Sequence, residues 1–166
     1  ALARLREAAA TDRTDPRLQA DVGYQTYLLG DVPRAIDHLA LAARLAPSDA
    51  QVWGLHGALL LTAGRNAEAA RALERALAIE PSESVLANLA TLRYEQGDYT
   101  AAAALYRRAI ARYPGNFQLH GNLGDALWAA PATRAAATPA FAEAARRAQA
   151  YVALNPDDAK ALAALG

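Results

Sequence analysis

The sequence predicts an all-α solenoid of antiparallel helix pairs, and three observations carry that prediction. A glycine recurs as Gly30, Gly64 and Gly97, at intervals of 34 and 33, and a proline recurs as Pro47, Pro81 and Pro114 at the same intervals. Small residues keep the step, as Ala35, Ala69 and Ala102, as Ala42, Ala76 and Ala109, and as Gly23, Gly57, Ala90 and Gly124. Within one period, residues 83–116, apolar residues fall at helical spacing twice, once on each side of Gly97. Two amphipathic helices per period must cover each other and stack on the next pair.

Residues 83–116 give the clearest unit. Leu86, Leu89 and Ala90 share one helical stripe, and Ala102, Tyr106, Ala109 and Ile110 share another. Gly97 can take the left-handed conformation that ends the first helix, Asp98 can accept from the free N–H groups opening the second, and Pro114 bars its continuation. Taken in order, residues 1–15 read as a second helix without its first, with Ala1, Leu2, Leu5, Ala8 and Ala9 in packing positions. Repeat 1 covers residues 16–49, with helices near 17–29 and 33–45 and Pro33 in a first turn, where a missing N–H costs little. Repeat 2 covers 50–82, with Trp53 and Gly57 in bulky and small slots and Asn66 expected to cap its second helix. Repeat 3 is 83–116. Repeat 4, 117–158, opens normally with Phe117, Leu123, Gly124 and Leu127, then replaces the Gly-Asp turn with AAPATRAAATPA. Pro114 to Pro156 spans 42 residues, about eight too many, so an enlarged loop is expected over 131–138 and a helix over 139–154. Residues 159–166 place Leu162, Leu165 and Gly166 where a new first helix would begin. Both ends read as cut within a repeat, which predicts a piece of a longer array or of a multidomain protein; natural caps shaped like half-repeats are the alternative.

A period near 34 with this order of large, small, Gly, small, aromatic and Pro resembles the tetratricopeptide repeat (TPR) family over nearly the whole chain. The resemblance implies a right-handed solenoid of about four units with terminal half-repeats, forming one domain over residues 1–166. The long last unit is similar to those of TPR modules attached to bacterial kinases, cyclases and transcription regulators. The resemblance also implies that first helices line a concave groove, which places Arg17, Asp21, Tyr24, Tyr27 and Leu28 of repeat 1 on it. Repeat 2 contributes Gln51, Leu55, Leu61 and Thr62. Repeats 3 and 4 contribute Ser84, Asn88, Thr91, Tyr94, Glu95, Gln118, Asn122, Asp125 and Trp128. Tyr27, Leu61, Tyr94 and Trp128 share one slot, where an aromatic can either pack on the neighbouring repeat or meet a ligand. Asn88 and Asn122 share another, and a carboxamide both donates to and accepts from an extended peptide backbone. Asp21 and Leu55 fill that slot in repeats 1 and 2, so the resemblance to an asparagine ladder is half complete. The cationic clamp with which some TPR proteins hold a chaperone tail is not matched: Ala20, Tyr24, Leu55, Ser84 and Asn88 occupy its positions without a positive charge.

Composition limits what else the chain can be. With 166 residues, 54% of them hydrophobic, it can build one continuous core of stacked helices. Its 17 basic and 17 acidic residues balance, so the basic excess expected of a nucleic-acid or anionic-membrane binder is missing. Lys160 is the one lysine, leaving 16 arginines. Cysteine is absent, which excludes disulfides and thiolate metal sites. No apolar run nears the roughly 20 residues of a membrane helix, and no targeting signal is visible. The chain starts on alanine, so its natural N-terminus is not expected to be present; the compartment stays open, with the cytoplasm favoured.

Chemistry-bearing constellations are sparse. His38, His56 and His120 fall in different repeats, too far apart for a shared metal or triad, and His56 reads as a partly buried core residue. Trp53, Tyr99 and Tyr106 fit core slots. Arg107-Arg108 and Arg146-Arg147 read as solvated outer faces. No phosphate loop or nucleophile elbow appears. The expectation is a non-enzymatic, cofactor-free scaffold that binds a protein or peptide in its groove. Two other readings stay open: a regulatory or substrate-recruiting domain of a larger bacterial enzyme or signalling protein, such as a kinase, cyclase or transferase, and self-assembly through open terminal repeats into a homo-oligomer.

Overall fold

The computed structural model describes residue 7 and residues 11–158. The packing positions expected at Ala1, Leu2, Leu5, Ala8 and Ala9, and at Leu162, Leu165 and Gly166, lie outside them. Among the described residues all regular structure is helical: α1 (Pro16–Leu28), α2 (Val32–Leu45), α3 (Ala50–Thr62), α4 (Asn66–Ile79), α5 (Glu83–Glu95), α6 (Tyr99–Arg112), α7 (Phe117–Ala129), a 3-10 helix (Pro131–Ala136) and α8 (Ala137–Leu154). Short connections make successive helices antiparallel. No described helix is long and apolar enough to cross a membrane.

Local chemistry sets the boundaries. Asp15, Asp49 and Asn116 lie in extended backbone and accept from the N–H of the second residue of α1, α3 and α7, at 2.8, 2.9 and 2.9 Å. Asp31 and Asp98 cap α2 and α6 through Arg34 N and Ala101 N, and Ser82 Oγ accepts from Val85 N at the start of α5. Gly30, Gly64 and Gly97 take φ of 84°, 72° and 80°. Each gives its N–H to a carbonyl three residues back, and the following residue bonds five back, as in Asp31 N to Thr26 O at 3.2 Å. This double bond pattern satisfies two free carbonyls and requires a left-handed residue.

Two details differ from the sequence expectation. The cap of α4 is Arg65, with no side-chain cap bond, and Asn66 is the first helical residue. The turn after Gly64 fixes the reason: Arg65 N donates to Leu60 O at 2.9 Å, so Arg65 holds the place that Asp31 and Asp98 hold elsewhere. Its guanidinium instead pairs with Glu68 in the first turn, an acidic residue suited to a helix start. The second difference is the segment 131–138. It is not a loop: the 3-10 helix occupies 131–136 and α8 starts at Ala137, two residues before the expected Pro139. Thr133 Oγ1 donates to Leu127 O (3.0 Å) and Ala130 O (3.2 Å), tying the segment to the end of α7. Pro139 falls in the first turn of α8, where no partner for its nitrogen is needed.

The chain divides into two compact units, Ala1–Asn88 and Leu89–Gly166, the division falling inside α5. In the first unit α1 packs on α2, α2 on α3 and α3 on α4, around Val22, Ile36, Leu39, Leu59, Leu60 and Leu73. Glycine permits the close approaches. A Cβ on Gly57 would lie 2.7 Å from Leu73 Cγ, and one on Gly23 would lie 2.9 Å from Leu39 Cγ. In the second unit α6 packs on α7, and α7 on α8 and the 3-10 helix. Leu105, Tyr106, Leu119, Leu123 and Leu127 are buried there.

Candidate functional site

The first unit carries a cleft of about 1000 Å³. Its walls come from first helices: Arg17, Asp21 and Tyr24 of α1, Gln51, Leu55 and Ala58 of α3, and Ser84, Val85 and Asn88 of α5. The spacing of three or four within each set keeps its members on one face. Glu80 and Ser82 close one edge. Of the groove residues expected from the sequence, Arg17, Asp21, Tyr24, Gln51, Leu55, Ser84 and Asn88 meet at this cleft. Tyr24 is 44% exposed and Asn88 half-buried, so an aromatic face and a carboxamide are both open to a ligand. Tyr27 and Leu61 do not line it; both sit half-buried in the last turn of their helices, where their carbonyls accept from Gly30 and Gly64.

In the second unit Thr91 and Asn122 converge on one phenol. Tyr106 is buried, yet its hydroxyl lies 2.9 Å from Thr91 Oγ1 and also bonds Asn122. Burial pushes the Tyr106 phenol above its ordinary range, while those two hydrogen bonds pull the other way. A tyrosine in a core slot needs such a partner, so the residue type was a usable signal for this triad. Tyr94 stays exposed while packing edge-on against Tyr99, centroids 5.2 Å apart. Asp125 is on the exposed face, with partial desolvation raising its carboxyl above the usual range. Trp128 is 56% exposed. Gln118 lies at a separate pocket of about 360 Å³ with Phe117, Tyr151 and Asp158. There the rings of Phe117 and Tyr151 stand 5.6 Å apart and the Tyr151 hydroxyl donates to Asp158. Sequence reasoning missed Phe117 and Tyr151 as a pair because only the packing of α7 on α8 brings them together.

The histidines are placed separately. His38 Nδ1 pairs with Gln19 Oε1 at 2.9 Å, and His120 Nε2–H donates to Pro114 O at 3.3 Å. Among the described residues no three His, Cys, Asp or Glu side chains are grouped as a metal site. His56 is half-buried, 6.2 Å from the Trp53 ring, and its Nδ1 has no hydrogen-bond partner. Burial, with Arg65 and Arg44 adding repulsion, holds its pKa below the ordinary 6.5. The unfolded chain therefore takes up a proton first as pH falls, and stability is lost from about pH 6.5 downward until the lower folded pKa is passed. We expect His56→Leu to shrink the drop in unfolding midpoint between pH 7.5 and 5.5, measured by circular dichroism. On α8 the exposed Arg146 and the half-buried Arg147 both bond Glu143 and hold its carboxyl down to about 2, whereas Arg107 and Arg108 of α6 are exposed.

The family model for the tetratricopeptide repeat matches residues 27–84 and 88–151. The peroxisomal targeting signal receptor of Kluyveromyces lactis is 31% identical over 110 residues, which is 66% of this chain and 19% of the receptor. The chain thus spans about a fifth of the length of the curated relatives it matches. Among solved structures, MamA from Desulfovibrio magneticus aligns with a TM-score of 0.81 at 21% identity, covering 90% of this chain and 84% of that one. YrrB, described as a TPR protein with an unusual peptide-binding site, aligns at 0.78 and 18% identity, covering 99% and 90%. At such identities the solved structures speak to the fold, an all-α solenoid of helix pairs. By its repeat pattern, helix pairs and family match, the chain belongs to the tetratricopeptide repeat family.

Proposed function

We propose that this chain is a protein-interaction scaffold, without catalysis of its own, that captures an extended peptide or partner segment on its first helices. The observation that carries the reading is the cleft of about 1000 Å³ on which Tyr24, Gln51 and Asn88 meet. Its mixed lining suits an extended chain: Asn88 can donate to and accept from the ligand backbone, Tyr24 offers an aromatic face, and Arg17 and Asp21 offer charge at the rim. Likeness adds support, because YrrB is described as having a peptide-binding site and the K. lactis relative is named a targeting-signal receptor.

Peptides selected on the chain from a displayed random library supply the probe. A labelled winner is titrated by fluorescence anisotropy against the parent, Tyr24→Ala with Asn88→Ala, and Arg107→Glu on the exposed face of α6. The double change is expected to weaken binding by at least about tenfold, or ~1.4 kcal/mol, with the circular dichroism spectrum unchanged. Unchanged affinity in the double variant, with loss in Arg107→Glu, would place binding elsewhere and sink the reading.

A further inference from the structure

The added residues of the fourth repeat deliver a cation to an exposed tryptophan. Thr133 fixes the 3-10 helix to the end of α7, with its N–H on Ala130 O at 3.0 Å and its hydroxyl on Leu127 O and Ala130 O. The next residue, Arg134, folds back: Nε–H donates to Trp128 O at 3.1 Å, and the guanidinium lies 5.0 Å from the centroid of the Trp128 ring. Ring and carbonyl together hold the planar group in one pose. Among the described residues its Nη1 and Nη2 hydrogens find no partner and no carboxylate pairs with it, whereas Arg146 and Arg147 are both committed to Glu143. Trp128 remains 56% exposed under this cover.

Arg134 is exposed, and with Nε–H committed to Trp128 O its Nη1 and Nη2 remain as a pair of donors, the arrangement a carboxylate matches with two hydrogen bonds. The indole beside it offers apolar area that an aromatic or aliphatic side chain can cover. The carbonyls ending α7 carry partial negative charge and would repel an anion by themselves; Arg134 offsets them by bonding one directly. We propose that Trp128 and Arg134 form a recognition site for a partner peptide bearing a carboxylate side chain next to an apolar one. The proposal rests on the peptide-binding reading, and names the partner chemistry that the second unit selects.

The test is a ¹H–¹⁵N titration read at the indole N–H of Trp128. The chain has two tryptophans. The other, Trp53, donates its indole N–H to Pro47 O at 3.2 Å and serves as the internal control. Probes are N-acetyl-Glu-Phe-amide and its neutral analogue N-acetyl-Gln-Phe-amide. Expected is a Trp128 shift saturating on the order of millimolar, at several-fold lower concentration for the Glu probe, with Trp53 still. Arg134→Gln should erase the preference and Arg134→Lys should keep part of it. Equal titration by the two probes, no Trp128 shift with either, or a preference that survives Arg134→Gln overturns the proposal. If Arg134→Gln only lowers the unfolding temperature, Arg134 is a helix cap and nothing more. Because the readout is local to Trp128, its failure is separable from that of the Tyr24 and Asn88 variants in the first unit.

Discussion

Replacing Leu39 by alanine is expected to destabilise the first unit by about 2–5 kcal/mol, the range for emptying a fully buried leucine site. Leu39 has no exposed surface. It sits on α2 directly against the backbone of α1, since a Cβ on Gly23 would come within 2.9 Å of its Cγ. A glycine has no side chain to relax into the void, so most of the cavity should persist. For a compact unit of about 60–100 residues each kcal/mol moves the thermal midpoint by roughly 4–8 °C, so a shift of roughly 8–40 °C should appear in a circular dichroism melt. Leu28 and Leu29 supply the contrast, being 57% and 71% exposed; alanine at either should change stability by no more than about 0.5 kcal/mol. Equal effects at all three positions would contradict the packing of α1 on α2.

The second large effect is expected from overfilling. Gly57→Val should cost about 1–3 kcal/mol or more, because a Cβ there would meet Leu73 Cγ at 2.7 Å and Leu73 N at 3.1 Å. Leu73 is fully buried and backbone cannot swing aside, so α3 and α4 would have to separate. Gly121 in α7 is the opposite case, with nothing within 4 Å of an added Cβ. Gly121→Ala should therefore raise stability by about 0.5–1 kcal/mol through lost freedom in the unfolded chain. Urea unfolding curves for both variants check the pair, and a Gly57→Val chain as stable as the parent would mean that the two helices can part at little cost.

Where one residue type decides a conformation, the sequence was readable. Gly30, Gly64 and Gly97 were found because a left-handed turn has few other occupants, and all three have positive φ. Gly23 and Gly57 were found because a close helix contact excludes a side chain. Where contacts between distant residues decide, it was not. Asn66 looked like a cap by composition, but the hydrogen bond from Arg65 N to Leu60 O sets the register one residue earlier. The Ala-Pro-Thr run at 131–138 suits either a loop or a helix, and the bonds from Thr133 to the end of α7 choose. The candidate site divides the same way. Tyr24, Gln51 and Asn88 follow from what the resemblance to the tetratricopeptide repeat family implies for first-helix positions, while the reach of the Tyr106 hydroxyl to Thr91 and Asn122 needs the distance between helices.

The succession of contacts within each unit also has a bearing on time. Because α1 meets α2, α2 meets α3 and α3 meets α4, each surface is completed by the segment made next, and little chain must be closed into loops. Topologies with such local pairing fold on the order of milliseconds or faster. During synthesis, at roughly 5–20 residues per second, a helix therefore finds its partner long before the following one leaves the ribosome, and its apolar stripe is bare only for the interval between neighbours.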